Sequence, residues 1–266
     1  MSDMSFTGNI VEQQIETPKS SVGIYELPCG FVTSDGALLT EVQVREMTGR
    51  EEDLLASNKL SPLKKINALL IACTERIGHI TDKAHINQIV MSLPQGDRVF
   101  LLMAIRRASL GDDLPLEEEC PSCNTKGFYI QDLSELTIKP MKNPLRRSYE
   151  VVLPSGKTLQ YRLGTAADEE RVAKVSDDEK LSMMLLCRTE AINSKAPSIN
   201  DIKGLSFRDR QAVRDAFEDV DGGVDTTTDM TCPQCGHAFK VDVDLGNQGF
   251  FFPQRALKTL SQRYSI

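Results

Sequence analysis

Two short turns hold the residues best placed to do chemistry: Cys120-Pro121-Ser122-Cys123 and Cys232-Pro233-Gln234-Cys235. In a Cys-x-x-Cys turn two thiolates point at a common centre, and two such turns complete a tetrahedron, the arrangement Zn²⁺ takes in closed structural sites. Pro121 and Pro233 suit a rigid turn, and Gly236 supplies the backbone freedom needed directly after the second pair. The metal-ligating set is therefore expected to be Cys120, Cys123, Cys232 and Cys235. Its unusual feature is distance along the chain. The pairs are separated by 108 residues, where a compact zinc ribbon has about 15–20.

An iron–sulfur cluster would take the same four thiolates, but tight turns set between short strands favour zinc. A redox Cys-x-x-Cys belongs to a βαβ setting and usually stands alone, which describes neither turn. His237 follows the second pair; with four thiolates filling the shell, it is expected beside the site or in solvent. Cys73 and Cys187 fall at nearly equivalent places in apolar helical stretches and read as small buried hydrophobes. Cys29 stands where the second half of the chain has Ser155, so no thiol is required there.

The elements that must position the turns come in two sets. Sliding the sequence by 112 residues lays Leu93–Cys123 on Leu205–Cys235, with nine identities where average usage would give roughly two. They are Leu93/Leu205, Asp97/Asp209, Arg98/Arg210, Ala104/Ala216, Gly111/Gly223, Asp113/Asp225 and the shared Cys, Pro and Cys of the turns. Upstream, Ile86-Asn87-x-Ile89 answers to Ile199-Asn200-x-Ile202, and Thr74-Glu75-x-Ile77 to Thr189-Glu190-x-Ile192. Leu27-Pro28-x-Gly30 answers to Leu153-Pro154-x-Gly156. Similar order in both halves reads as a tandem duplication.

Each unit opens with a strand pair, signalled by period-two alternation in Glu41–Arg45 and Thr158–Leu163. A first helix begins at a capping box, Thr48 with Glu51 and Thr165 with Asp168. A second spans Pro62–Arg76 and Asp177–Arg188, the latter started by Ser176 with Glu179. A third, near Pro94–Ser109 and Phe207–Asp219, ends at glycines and leads through a short strand into each cysteine turn. The expected fold is α+β: two tandem repeats related by a pseudo-twofold axis, each a strand pair, three helices and a zinc knuckle, sharing one split zinc-ribbon-like site. The expected boundaries are an N-terminal arm at 1–20, a first lobe at 21–138, a linker at 139–147, a second lobe at 148–248 and a partner-binding tail at 249–266. One knuckle per lobe would explain the long spacing, since the axis brings both to the lobe interface.

At 266 residues, 40% apolar and 26% charged, the chain has the composition of a globular protein. Its formal charge of −7 and lack of a dominant basic cluster argue against nucleic acid as partner. No segment approaches a transmembrane length, and Met1–Ser20 lacks the apolar core of a signal peptide, so synthesis in a cytosol with reduced thiols is expected. No catalytic constellation appears: His79 and His85 have no linked nucleophile and acid, and there is no Gly-rich phosphate loop. Neither an enzyme nor a small-molecule substrate is expected. Acidic Asp112–Glu119 reads as a solvated strand edge, and Asp97-Arg98 with Asp209-Arg210 as helix-cap and ion-pair elements. Phe250-Phe251-Phe252 has two readings, a strand crossing the lobe interface or an anchor for another subunit.

Taken in order, the motifs resemble a known family. They are Leu-Pro-x-Gly, Met47-Thr48-Gly49-Arg50-Glu51-Glu52-Asp53, Gly96-Asp97-Arg98 and Cys-Pro-x-Cys, followed by a second Leu-Pro-Ser-Gly, Cys-Pro-x-Cys-Gly-His and Phe-Phe-Phe-Pro. Over about residues 22–253 they resemble the T4-type baseplate protein family of tailed bacteriophages, the hub-subunit group. The resemblance implies a virion structural component of a contractile-tail baseplate, in hub or wedge, assembled in the host cytoplasm with other phage baseplate and tail proteins. It carries no binding residue beyond the cysteines. Two alternatives accompany it: a hub assembly chaperone absent from the mature virion, and a zinc-ribbon nucleic-acid-binding regulator, which would need a basic face around the knuckles.

Overall fold

A computed structural model describes residues 23–245 and 248–251. The expected N-terminal arm, and the expected tail from Phe252 onward, lie outside the described residues. The first half runs β1 (Gly23–Val32), β2 (Leu38–Val44), α1 (Gly49–Ala56), α2 (Pro62–Cys73), β3 (Thr74–Ile77), α3 (Lys83–Ser92), α4 (Gln95–Leu110), β4 (Asp113–Glu119), β5 (Lys126–Asp132) and β6 (Ile138–Lys139). The second runs β7 (Ser148–Val152), β8 (Thr158–Arg162), α5 (Ala166–Val172), α6 (Asp177–Arg188), β9 (Thr189–Ile192), α7 (Ile199–Lys203), α8 (Phe207–Val220), β10 (Gly223–Val224), β11 (Thr227–Thr231) and β12 (Ala238–Asp242). A short α9 (Gln248–Phe251) follows.

Each half departs from the expected layout in two ways. The Thr-Glu-x-Ile segments form a third strand, so the sheets are β1-β2-β3 and β7-β8-β9, both antiparallel. The register shift in each falls at corresponding places, Gln43/Val44 and Gln160/Tyr161. The Ile-Asn-x-Ile segments form a fourth helix rather than part of a connection. Asp82 starts α3 by accepting the His85 amide, and Ser198 starts α7 in a capping box with Asp201. These helices are short, so their caps outweigh any periodicity as a signal.

The capping boxes at Thr48–Glu51 and Thr165–Asp168 form as expected. Each acid does a second job. Glu51 receives a fork from Arg45 at 2.9 and 3.1 Å, and Asp168 one from Arg162 at 2.7 and 2.8 Å, which ties the helix start to the central strand of the sheet. Ser176 occupies the cap position of α6 but makes no side-chain cap bond; Glu179 turns instead to Lys203 at 2.6 Å.

Two apolar clusters result. Leu69, Leu70, Ile77, Ile86, Leu101 and Ile105 centre the first. Leu159, Tyr161, Leu185, Val213 and Phe217 centre the second, where Tyr161 stacks on Tyr149 at 5.4 Å. The halves exchange material: Cys29 of β1 packs in the second cluster, while Val243, Leu245, Phe250 and Phe251 return to the first. Strands β6 and β10 pair across the junction, and Gly96 lies so close to Gly222 that an added Cβ would sit 1.8 Å from the Gly222 oxygen. Arg98 of α4 reaches Glu169 of α5 at 3.1 Å, joining the halves through a buried guanidinium.

Candidate metal centre

Each cysteine turn closes a two-stranded hairpin. Strands β4 and β5 pair from Asp113↔Asp132 to Glu119↔Lys126, and β11 and β12 from Thr227↔Asp242 to Thr231↔Ala238. The turns share one backbone pattern. The Cys120 amide donates to the Thr125 carbonyl and the Asn124 amide to the Cys120 carbonyl, at 3.0 and 2.9 Å. The Cys232 amide donates to the His237 carbonyl and the Gly236 amide to the Cys232 carbonyl, both at 2.9 Å. The residue after the second cysteine is left-handed in both, Asn124 at φ 55° and Gly236 at φ 73°. Asparagine is among the few side-chain-bearing residues that tolerate that conformation. Asn124 carries no motif signal of its own, although the 112-residue offset lays it on Gly236.

The two turns meet. Cys120 Sγ lies 3.7 Å from Cys235 Sγ, and Cys123 Sγ lies 3.7 Å from Cys232 Sγ. All four sulfurs fall within 4.8 Å of one another. A disulfide needs sulfurs at about 2.05 Å, so these are separate thiols. A tetrahedral ion with metal–sulfur bonds of about 2.3 Å would set sulfurs roughly 3.8 Å apart along each edge. Each hairpin gives one buried sulfur, from Cys120 or Cys232, and one exposed, from Cys123 or Cys235. Across the interface, buried faces exposed.

Electrostatics fit the same chemistry. Hydrogen bonds from the Thr125 hydroxyl and amide bring the Cys123 thiol down to about 6. At Cys235 the His237 amide favours the thiolate, yet burial and the neighbouring thiols push it up to about 12. Four thiolates at such spacing repel one another, and a cation among them removes the repulsion. The donor set therefore suits a soft, tetrahedral cation held by thiolates. Among the described residues, these four are the one group of three or more Cys, His, Asp or Glu side chains placed to hold an ion.

Contacts between the hairpins align the turns. The Tyr129 and Phe239 rings meet edge to face at 6.0 Å, and the Thr228 hydroxyl donates to Gln131 at 2.5 Å. Neither contact was read from the sequence; both occupy strand positions whose inward direction depends on the other hairpin. The buried Tyr129 hydroxyl has no partner among the described residues, and burial followed by the nearby cysteines raises its pKa. His237 is exposed and stacks on Phe239 at 6.5 Å, outside the sulfur group.

The remaining sequence candidates fall elsewhere. Cys73 and Cys187 are both buried, Cys73 within the first cluster, and burial pushes the Cys73 thiol to about 12. Asp97 makes no cap bond at the start of α4, whereas Asp209 takes part in the start of α8, where its amide donates to the Ser206 hydroxyl at 3.1 Å. The Asp97 and Asp209 carboxylates also accept the amides of Cys29 and Ser155 at 2.7 and 3.0 Å, bracing the two Leu-Pro-x-Gly turns. Arg98 makes the expected ion pair, whereas Arg210 donates to Ser182. Phe250 and Phe251 are only 3% and 5% exposed in the first cluster, where the Phe250 carbonyl accepts from buried Arg106. As an exposed anchor for another subunit they are corrected to core residues, because packing on α4 removes them from solvent. Phe252 lies outside the described residues.

No helix among the described residues is long and apolar enough to cross a membrane. Comparison with curated proteins and with solved structures gives no match. A family model described as T4 bacteriophage base plate protein matches residues 27–252.

Proposed function

The chain belongs to the T4 bacteriophage base plate protein family, and on that premise we propose that it is a non-enzymatic bracket of the tail baseplate. Its halves are copies of one unit, locked by a zinc ion on Cys120, Cys123, Cys232 and Cys235. Membership associates it with other phage structural proteins, and the bracket would hold neighbouring subunits at a fixed angle.

The observation that carries this reading is the convergence of sulfurs from two hairpins separated by 108 residues of chain. Their 3.7 Å spacing suits a single ion; a cluster of several irons spreads its thiolates over different metal atoms. Structural zinc contributes roughly 10–16 kcal/mol of apparent binding energy. Closing a loop of that length costs about 4–5 kcal/mol in chain entropy, so the clamp has energy to spare for fixing the halves. The non-enzymatic reading is supported by the groove of about 1290 Å³ between the halves. Four of the charged groups that line it are paired with each other, Arg98 with Glu169 and Arg188 with Asp221. Exposed Glu117, Glu119, Asp229 and Asp242 on the hairpins weigh against a nucleic-acid partner.

The test is elemental analysis of the purified chain beside Cys232→Ser. About one zinc per chain is expected, lost in the variant together with much of its thermal stability. Iron in place of zinc, or a variant that keeps its metal and melting temperature, would overturn the clamp.

A further inference from the structure

Helix α5 of the second half packs on α2 and α3 of the first. Backbone holds its start in place: the Gln95 amide donates to the Gly164 carbonyl at 2.9 Å, and Pro94 forms a β-bridge with Thr165. Two acids that follow the capping box complete the seat. Glu169 meets Arg98 at 3.1 Å, and Glu170 accepts from the Asn67 side chain at 3.2 Å. With α5 seated, Leu69 of α2 and Ala166 of α5 are fully buried.

The second half carries the same seat in an open state. Helix α6 aligns with α2 from end to end, and α8 aligns with α4 by the 112-residue offset. Leu181, Ser182 and Met184 then stand for Ile66, Asn67 and Leu69, and Arg210 for Arg98. Arg210 donates to Ser182 at 3.1 Å, as Arg98 donates to Asn67. Yet Leu181 is 64% and Met184 51% exposed, against a half-buried Ile66 and a fully buried Leu69. Packing inside each half is alike, α1 on α2 and α5 on α6, so the difference comes from what lies across the seat. Leu181 and Met184 line the groove between the halves, with Arg214 beside them.

The counterpart of the seated helix is open as well. Helix α1 starts from the same capping box as α5, and Glu52 and Asp53 stand where α5 has Glu169 and Glu170. Both are exposed, as are Thr48 and Gly49 at the helix start. One half thus presents an acidic helix start, and the other a seat whose cations, Arg210 and Arg214, match it in charge. Two different, complementary surfaces on one chain are the condition for head-to-tail association, which closes a ring or continues as a filament. We infer that α1 of a second copy docks in the seat formed by α6 and α8, setting Glu52 and Asp53 against Arg210 and Ser182. The inference rests on the bracket reading, in which the halves are copies of one unit, and gives it one of its joints.

The experiment is sedimentation of the purified full chain over a concentration series, with zinc content read on the same samples. The wild type should self-associate. Glu52→Arg and Arg210→Glu should each weaken that association by roughly a hundredfold, because like charges then face each other. An equimolar mixture of the two variants should recover it, since every joint between unlike chains again pairs opposite charges. Leu181→Asp changes a side chain outside both apolar clusters; it should keep the melting temperature and weaken association by a similar factor. A monomeric wild type that holds zinc, association indifferent to these substitutions, or a mixture no better than its components would each overturn the joint and leave the bracket standing. A chain that binds no metal would instead defeat the bracket, and the joint with it.

Discussion

The carboxylate of Asp97 accepts the amide hydrogen of Cys29 at 2.7 Å across 68 residues of chain. The same bond recurs between Asp209 and Ser155 at 3.0 Å. A turn whose amide would otherwise face the core is satisfied by a helix of its own half. The two carboxylates differ in surroundings. Burial raises Asp97 to about 6, against the opposing pull of the Cys29 amide and Arg147, and one of its oxygens has no partner among the described residues. Asp209 is instead held below the ordinary range: burial raises it, but the Ser155 and Ser206 bonds lower it further.

Asp97 should give stability an unusual slope. Its folded pKa lies above the unfolded value near 3.8, so the folded state binds the proton more tightly. The resulting stabilisation is present below the unfolded value and lost as pH rises through about 6. Relative to Asp97→Asn, the wild type should gain on the order of 2 kcal/mol between pH 6 and 4. Denaturant melts across that range check it. Parallel curves for the two proteins would contradict the assignment.

Glu51 should act in the opposite sense. The Arg45 fork is the largest cause holding it at about 2, well below its ordinary 4.5. Its stabilisation is present above that ordinary value and disappears as pH falls toward 2. Glu51→Gln should therefore lower stability at neutral pH and flatten the acid limb below pH 4.5, read by circular dichroism at each pH.

The left-handed positions of the knuckles make a matched test. A Cβ on Gly236 would meet nothing within 4 Å, so Gly236→Ala probes the backbone conformation alone. A loss of about 1–2 kcal/mol is expected. Asn124→Gly should be nearly neutral, and Asn124→Val should cost at least as much as the alanine change. Melting temperature with metal titration reads all three, and a harmful Asn124→Gly would refute the shared geometry.

The contact of Gly96 with the Gly222 carbonyl leaves no room for a methyl group. Because the obstruction is backbone, Gly96→Ala should cost about 3 kcal/mol or more and loosen the junction between the halves. Hydrogen exchange at β6 and β10 should accelerate in the variant. Unchanged protection there would argue against this contact as a spacer.

Breaking the bridge from α4 to α5 should be felt through Arg98, whose guanidinium is buried while Glu169 is partly exposed. Glu169→Ala leaves that cation only its neutral acceptors, Asn67 and the Val90 carbonyl, and is expected to cost about 1–3 kcal/mol. A double-mutant cycle with Arg98→Met should return a coupling of about 1 kcal/mol or more. Strict additivity would mean the bridge contributes nothing.

The sequence by itself determined the four-cysteine set, the capping boxes at Thr48 and Thr165, the long helices and the similar order of segments in both halves. Those features are local: cysteine spacing in a turn, a hydroxyl three residues before an acid, and apolar periodicity act through neighbours in the chain. Tertiary structure alone decided that the knuckles meet, that Asp97 and Asp209 reach back to the Leu-Pro-x-Gly turns, and that Phe250 and Phe251 are core. It also turned Thr74–Ile77 and Thr189–Ile192 into strands, since a four-residue segment acquires its conformation from the strand beside it. Spacing of 108 residues constrains no distance. The packing of two halves brings the four sulfurs into one place.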